Sequence, residues 1–135
     1  KIIHVKRNPA ATCWGNYKTI FSSSGSNNFS YNLDDLITYY QLYEDLMQFW
    51  DKLYDDRIYN LNYEVLTTNQ EDETRKLIQY LDLKWEDECL APQNNKRIVH
   101  TASNNQVREK VYQGSSEKWK NFEPFLNGIF DNLKN

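Results

Sequence analysis

The chain has 135 residues, the size of one domain, with 39% hydrophobic and 26% charged residues and a formal net charge of −3. No apolar run approaches the roughly 18 residues of a membrane-spanning helix, and the acidic balance argues against general attraction to nucleic acid or anionic lipid. Two isolated cysteines, Cys13 and Cys89, exclude a disulfide scaffold and a four-thiolate zinc site, and they point to a reducing, cytoplasmic compartment.

Lys1 opens directly into a short β-branched run, Lys1 to Lys6, with no signal-peptide pattern ahead of it. A strand that starts so abruptly is expected to belong to a piece of something longer. The run ends at Arg7-Asn8-Pro9, where Asn8 is placed to cap a helix and Pro9 to fill its first turn. Helix is predicted from Ala10 to about Phe21, with Cys13, Trp14, Tyr17, Ile20 and Phe21 on one side. Ser22 to Asn28 contains only Ser, Gly and Asn and reads as a surface loop. Leu33 to Tyr54 is the strongest helix, with Asn32 as its cap and Asp34 and Asp35 in its first turn. It carries two adjacent stripes, Leu36, Tyr40, Tyr43, Met47, Trp50 and Tyr54 beside Tyr39, Leu42, Leu46, Phe49 and Leu53, so burial under two layers is expected.

A second strand is predicted over Arg57 to Tyr63 and a further helix over Asn69 to Leu81, with Leu77, Ile78, Tyr80 and Leu81 inward. Alternating strands and helices imply an α/β fold. Ala91 to Gly114 is rich in Asn and basic through Lys96, Arg97, Arg108 and Lys110, and it reads as an extended, functional segment. A last helix is predicted from Glu123 or Pro124 to Leu133.

A strand that ends in Arg-Asn-Pro and feeds a helix suits an anion, because free backbone N–H groups and the helix dipole converge where a guanidinium also reaches. Taken alone, Arg7 reads more simply as the partner of a carboxylate at a strand end. Tyr63 alone reads as a core tyrosine, and Arg108, Lys110 and Lys118 as solvated surface charges. The two cysteines read as small buried hydrophobes, and no metal-ligand spacing is present.

The combination is more specific than its parts. Ile2-Ile3-His4-Val5-Lys6-Arg7-Asn8-Pro9 with Thr12-Cys13 and Asn16-Tyr17, then Asn62-Tyr63-Glu64-Val65-Leu66, then Thr101-Ala102-Ser103 leading through Gln106-Val107-Arg108 to Trp119 occur in order across nearly the whole chain. In this it resembles the sulfotransferases that use 3′-phosphoadenosine 5′-phosphosulfate (PAPS), especially the bacterial repeat-associated and tyrosylprotein branches. The resemblance implies a P-loop-NTPase-like three-layer α/β fold, with parallel strands flanked by helices, in which residues 1–135 are a single C-terminal fragment of the domain. It implies that Arg7 binds the 3′-phosphate of PAPS or adenosine 3′,5′-bisphosphate. A family serine further along the next helix assists that arginine, and its position is held here by Gly15, so Thr12, Asn16 or water would have to replace the hydroxyl. Tyr63 is implied on the adenine side and Ser103 at a cofactor phosphate. Lys118 is implied near the nucleotide, with Arg108 and Lys110 as further basic candidates.

The phosphosulfate-cradling loop of that family is missing from the sequence, and no catalytic residue is assigned; His4 reads as a strand residue, and neither it nor His100 as a base. The expected function is therefore that of a sulfotransferase fragment, inactive alone, whose intact form transfers sulfuryl to a hydroxyl or amine on an acceptor such as a protein or carbohydrate. The rival is a non-catalytic interaction module with a degenerate nucleotide site. In the implied fold the loop-bearing strand lies between the two strands predicted here. Without it their inner edges stay unpaired, which calls for direct closure of the sheet or, preferentially, for a homodimer.

Overall fold

A computed structural model describes residues 1–21, 27–54, 56–98 and 108–133. The chain forms two compact units, one of Lys1–Lys6 with Tyr59–Gln113 and one of Arg7–Ile58 with Gly114–Asn135.

The first unit is built on two strands, β1 (Ile2–Lys6) and β2 (Ile58–Asn62, its first residue assigned to the second unit), which are direct neighbours in a parallel sheet. The sheet has closed on itself, so the unpaired inner edges expected from an intervening strand do not arise between them. That removes the original reason to expect a dimer. Leu61 is buried, whereas Ile2, Ile3 and Val5 remain exposed, an unusual state for a parallel strand.

Asn62 ends β2 because its side chain turns back to accept from the Val65 N–H at 2.8 Å, capping α3 (Tyr63–Thr68). Tyr63 is thus the first residue of a helix and not the end of a strand, and α3 was not anticipated. Helix α4 (Gln70–Tyr80) follows the predicted span, with Glu71, Asp72 and Glu73 in its first turn and Leu77, Ile78 and Tyr80 half-buried, as is Leu81 just beyond. It ends at Asp82, whose φ of 57° is incompatible with further helix. Lys1 ties the start of β1 to this end through Tyr80 O and the Asp82 carboxylate. The segment after Ala91 is not wholly extended, since Pro92 opens a short 3₁₀ turn, Pro92–Asn94.

The second unit holds α1 (Pro9–Tyr17), a 3₁₀ turn (Asn28–Tyr31), α2 (Leu33–Leu53) and a long 3₁₀ segment (Ser115–Phe125). Ala10, Cys13, Leu36, Phe130 and Leu133 form its core, with Trp14, Ile37, Tyr40 and Trp119 packed around them. Helix α1 stops earlier than predicted. Thr19, which is β-branched, bonds back to Gly15 O through its hydroxyl, and Ile20 is left 90% exposed rather than in the core. Of the predicted loop over Ser22 to Asn28, residues 22–26 lie outside the described residues, and Asn28 begins the 3₁₀ turn.

On α2 only the first stripe behaves as predicted. Leu36 is buried, but Tyr39, Leu42, Leu46, Phe49 and Leu53 are each more than half exposed, although Tyr39 stacks on Phe29 with ring centroids 4.1 Å apart. The final helix predicted over Glu123 to Leu133 is absent. Asn127 and Gly128 both adopt positive φ, 48° and 70°, which turns the chain and leaves Phe130 and Leu133 to reach the core from turns.

Candidate functional site

The start of α1 presents fewer backbone donors than the sequence suggested. Pro9 has no N–H, the Ala11 N–H is taken by Asn8 Oδ1 at 2.9 Å, and the Thr12 N–H is taken by Asn8 O at 2.9 Å. The Asn8 cap thus occupies the Ala11 N–H, and the Thr12 N–H makes the first intrahelical bond. The Arg7 side chain stands immediately ahead of the cap.

Arg7 is half-buried, and its guanidinium is held by hydroxyls from far along the chain. Nε donates to Ser116 Oγ at 3.1 Å, and the terminal Nη2 donates to Ser115 Oγ at 3.4 Å. Ser116 is only 4% exposed. Gly114, at φ 81°, makes the left-handed turn that starts the 3₁₀ segment and delivers both serines to Arg7. Sequence reading passed over Ser115 and Ser116, although a Gly-Ser-Ser run just before Lys118-Trp119 was a usable sign of a turn feeding a helical start.

The other predicted residues are dispersed. In the second unit, Gly15 lies toward the end of α1 with nothing within 4 Å of where a Cβ would stand. Thr12 is a poor replacement for the missing hydroxyl, because its Oγ1 donates to Asn8 O at 3.0 Å. Lys118 is exposed on the same 3₁₀ segment as the serines. In the first unit, Tyr63 is half-buried at the start of α3, Arg108 donates to Arg97 O at 2.6 Å, and Lys110 is exposed. Ser103 and His100 lie outside the described residues. His4 bonds through Nδ1 to Asn60 Oδ1 at 2.7 Å, a contact within the sheet.

Cys13 is fully buried, and burial, with the Glu44 carboxylate adding to it, pushes its thiol up to about 12. Such a thiol is inert as a nucleophile. Among the described residues no helix is long and apolar enough to cross a membrane, and no His, Cys, Asp and Glu cluster is arranged to hold a metal ion.

The ordered placement of β1, Arg7-Asn8-Pro9, α1 and β2 agrees with the family model described as "Sulfotransferase family", which matches residues 1–87. The chain belongs to the sulfotransferase family. A protein of Aquifex aeolicus (strain VF5), described as an uncharacterized protein, is 35% identical to this sulfotransferase-family chain over 135 residues, 99% of the chain but 18% of that protein. The chain therefore spans about a fifth of the length of that relative. No solved structure matches the chain. The matched residues include Arg7, Gly15 and Tyr63 and stop short of Ser103, Arg108, Lys110, Ser115, Ser116 and Lys118.

Proposed function

We propose that this sulfotransferase-family chain binds the adenosine 3′-phosphate end of PAPS, in a protein whose intact form transfers sulfuryl to a hydroxyl or amine. The observation that carries the reading is the Arg7 guanidinium, which follows β1 directly and is braced by Ser115 and Ser116. A braced, half-buried guanidinium offers a planar fork that suits a phosphate better than a flexible ammonium does. The nucleotide supplies the transferable sulfuryl group. On this reading, Arg7 neutralises and orients the 3′-phosphate, Tyr63 serves the adenine side, and Ser103, Arg108, Lys110 and Lys118 are the further polar and basic candidates. Neither a catalytic base nor a sulfuryl-cradling loop is assigned within residues 1–135, and turnover by the chain alone is not expected.

Titration decides it. The expected result is a salt-sensitive affinity for adenosine 3′,5′-bisphosphate that exceeds the affinity for adenosine 5′-monophosphate; absence of binding at millimolar bisphosphate rejects the reading.

The second reading, an interaction module, is favoured by one observation, the exposed stripe of Tyr39, Leu42, Leu46, Phe49 and Leu53 on α2. The occupant that suits it is a second copy of the chain, giving a homodimer. On this second reading Gly15 marks a degenerate nucleotide site, so absence of nucleotide binding at millimolar concentration would favour it. Cys13 and Cys89 are free thiols, which fits the reducing, cytoplasmic compartment proposed here.

A further inference from the structure

Leu42, Leu46, Phe49 and Leu53 follow one line along α2 at intervals of four, three and four residues, and each is more than half exposed. Tyr39 continues the line, but its ring is already stacked on Phe29 of its own chain, with centroids 4.1 Å apart. The two flanks of the line differ. On one stand Asp45 and Lys52, both exposed and neither in an ion pair among the described residues. On the other stand Tyr43 and Trp50, half-buried against their own chain.

The flanks decide how two such helices can meet. In a parallel pair unlike flanks face each other, so Asp45 would meet the second copy's Trp50 and find no counter-charge. In an antiparallel pair like flanks face each other. With Leu46 against the second copy's Phe49, and Leu42 against its Leu53, four apolar layers form over about 18 Å of helix. Each Asp45 then stands beside the second copy's Lys52, twice per pair by the two-fold symmetry. Sliding one copy by a heptad toward Tyr39 sets the two Asp45 carboxylates against each other, a like-charge juxtaposition that works against that pairing. The same slide needs Tyr39, which is engaged with Phe29.

We infer that α2 is a self-recognition helix, on which a second copy of the chain docks antiparallel in the register that joins Asp45 to Lys52 twice. The inference rests on the homodimer reading above and adds to it the orientation, the register and the residues that select them. The apolar layers hold the pair together, and the two charge contacts choose its geometry.

Sedimentation equilibrium of the full chain at low ionic strength tests this, with helical circular dichroism as the check on folding. The parent should associate. Asp45→Lys and Lys52→Glu should each pair about tenfold more weakly, because both contacts become like-charged. An equimolar mixture of the two variants should pair as tightly as the parent, since one then carries Lys at both positions and the other a carboxylate at both. If Lys52→Glu fails to fold, Asp45→Lys carries the decision alone. A parent that associates, with single variants that associate equally well or a mixture that stays as weak as its components, overturns this inference and leaves the homodimer reading standing. A parent that remains at 16.2 kDa up to millimolar chain overturns both.

Discussion

The His4 imidazole on β1 and the Asn60 side chain on β2 are joined by a 2.7 Å hydrogen bond. With Asn60 Oδ1 accepting, Nδ1 carries the proton, and the histidine is engaged in linking the two strands. Asn60→Ala should cost about 0.5–1.5 kcal/mol of stability, measured by urea denaturation, and leave nucleotide affinity untouched. A loss of nucleotide binding without loss of stability would instead give His4 and Asn60 a part in the nucleotide site.

Arg7→Ala removes the proposed anion contact. It should weaken adenosine 3′,5′-bisphosphate by about 1.5–3 kcal/mol, which for a moderate binder is loss of measurable binding in calorimetry or NMR titration. Arg7→Lys should recover only part of it, because an ammonium cannot bond both Ser115 and Ser116 in the plane that the guanidinium does. Equal binding by parent and Arg7→Ala would refute the site.

What the sequence made legible was whatever local chemistry decides. Asn8 and Asn32 cap α1 and α2 where their positions ahead of helical runs predicted, with Asn32 Oδ1 accepting from Asp34 and Asp35. Arg7 was singled out by its place between a strand and a capped helix. Features set by long-range contact stayed hidden. The pairing of Arg7 with Ser115 and Ser116 joins distant segments, and no local period announces it. Periodicity also misled: Phe125, Leu126, Ile129, Phe130 and Leu133 recur as on a helix, but Asn127 and Gly128 at positive φ break the chain between them. On α2 both stripes read as apolar, and hydropathy alone does not reveal that the second, apart from Tyr39 on Phe29, stays more than half exposed.

Gly15→Ser tests the departure from the family pattern. The site is open, so the new side chain meets no obstacle, and replacing glycine within a helix should stabilise the fold by several tenths of a kcal/mol. If the added hydroxyl serves the phosphate, bisphosphate affinity also rises. Greater thermal stability with unchanged affinity would show that position 15 no longer takes part.

Cys13 should make the fold sensitive to alkali. Its thiol ordinarily titrates near 9.0, and burial raises it to about 12 in the folded chain. The folded state therefore keeps a proton that the unfolded state gives up. Stability from this group is complete below pH 9 and falls by about 1.4 kcal/mol per unit as pH rises toward 12. Cys13→Ala should flatten that part of the stability profile, and Ellman's reagent should label the half-buried Cys89 well before Cys13. Rapid labelling of both thiols at neutral pH would contradict the packing of α1.

The exposed side of α2 has a spacing that suits another helix. Tyr39, Leu42, Leu46, Phe49 and Leu53 follow one another at alternating intervals of three and four residues, the seam of a two-helix coil, and all are more than half exposed. Asp45 and Lys52 flank the seam on the same side, one heptad apart. In an antiparallel pair of α2 helices each aspartate would face the other copy's lysine, so the charges favour that orientation. The helix has 21 residues, about 31 Å at the usual rise, which is long enough for several layers of the seam. Sedimentation equilibrium should then show the mass rising from 16.2 kDa toward twice that value as concentration increases. Leu46→Asp should hold the chain at the monomer mass without lowering its unfolding temperature, because Leu46 contributes little to its own core. A mass that stays at 16.2 kDa up to millimolar chain rules out the pairing.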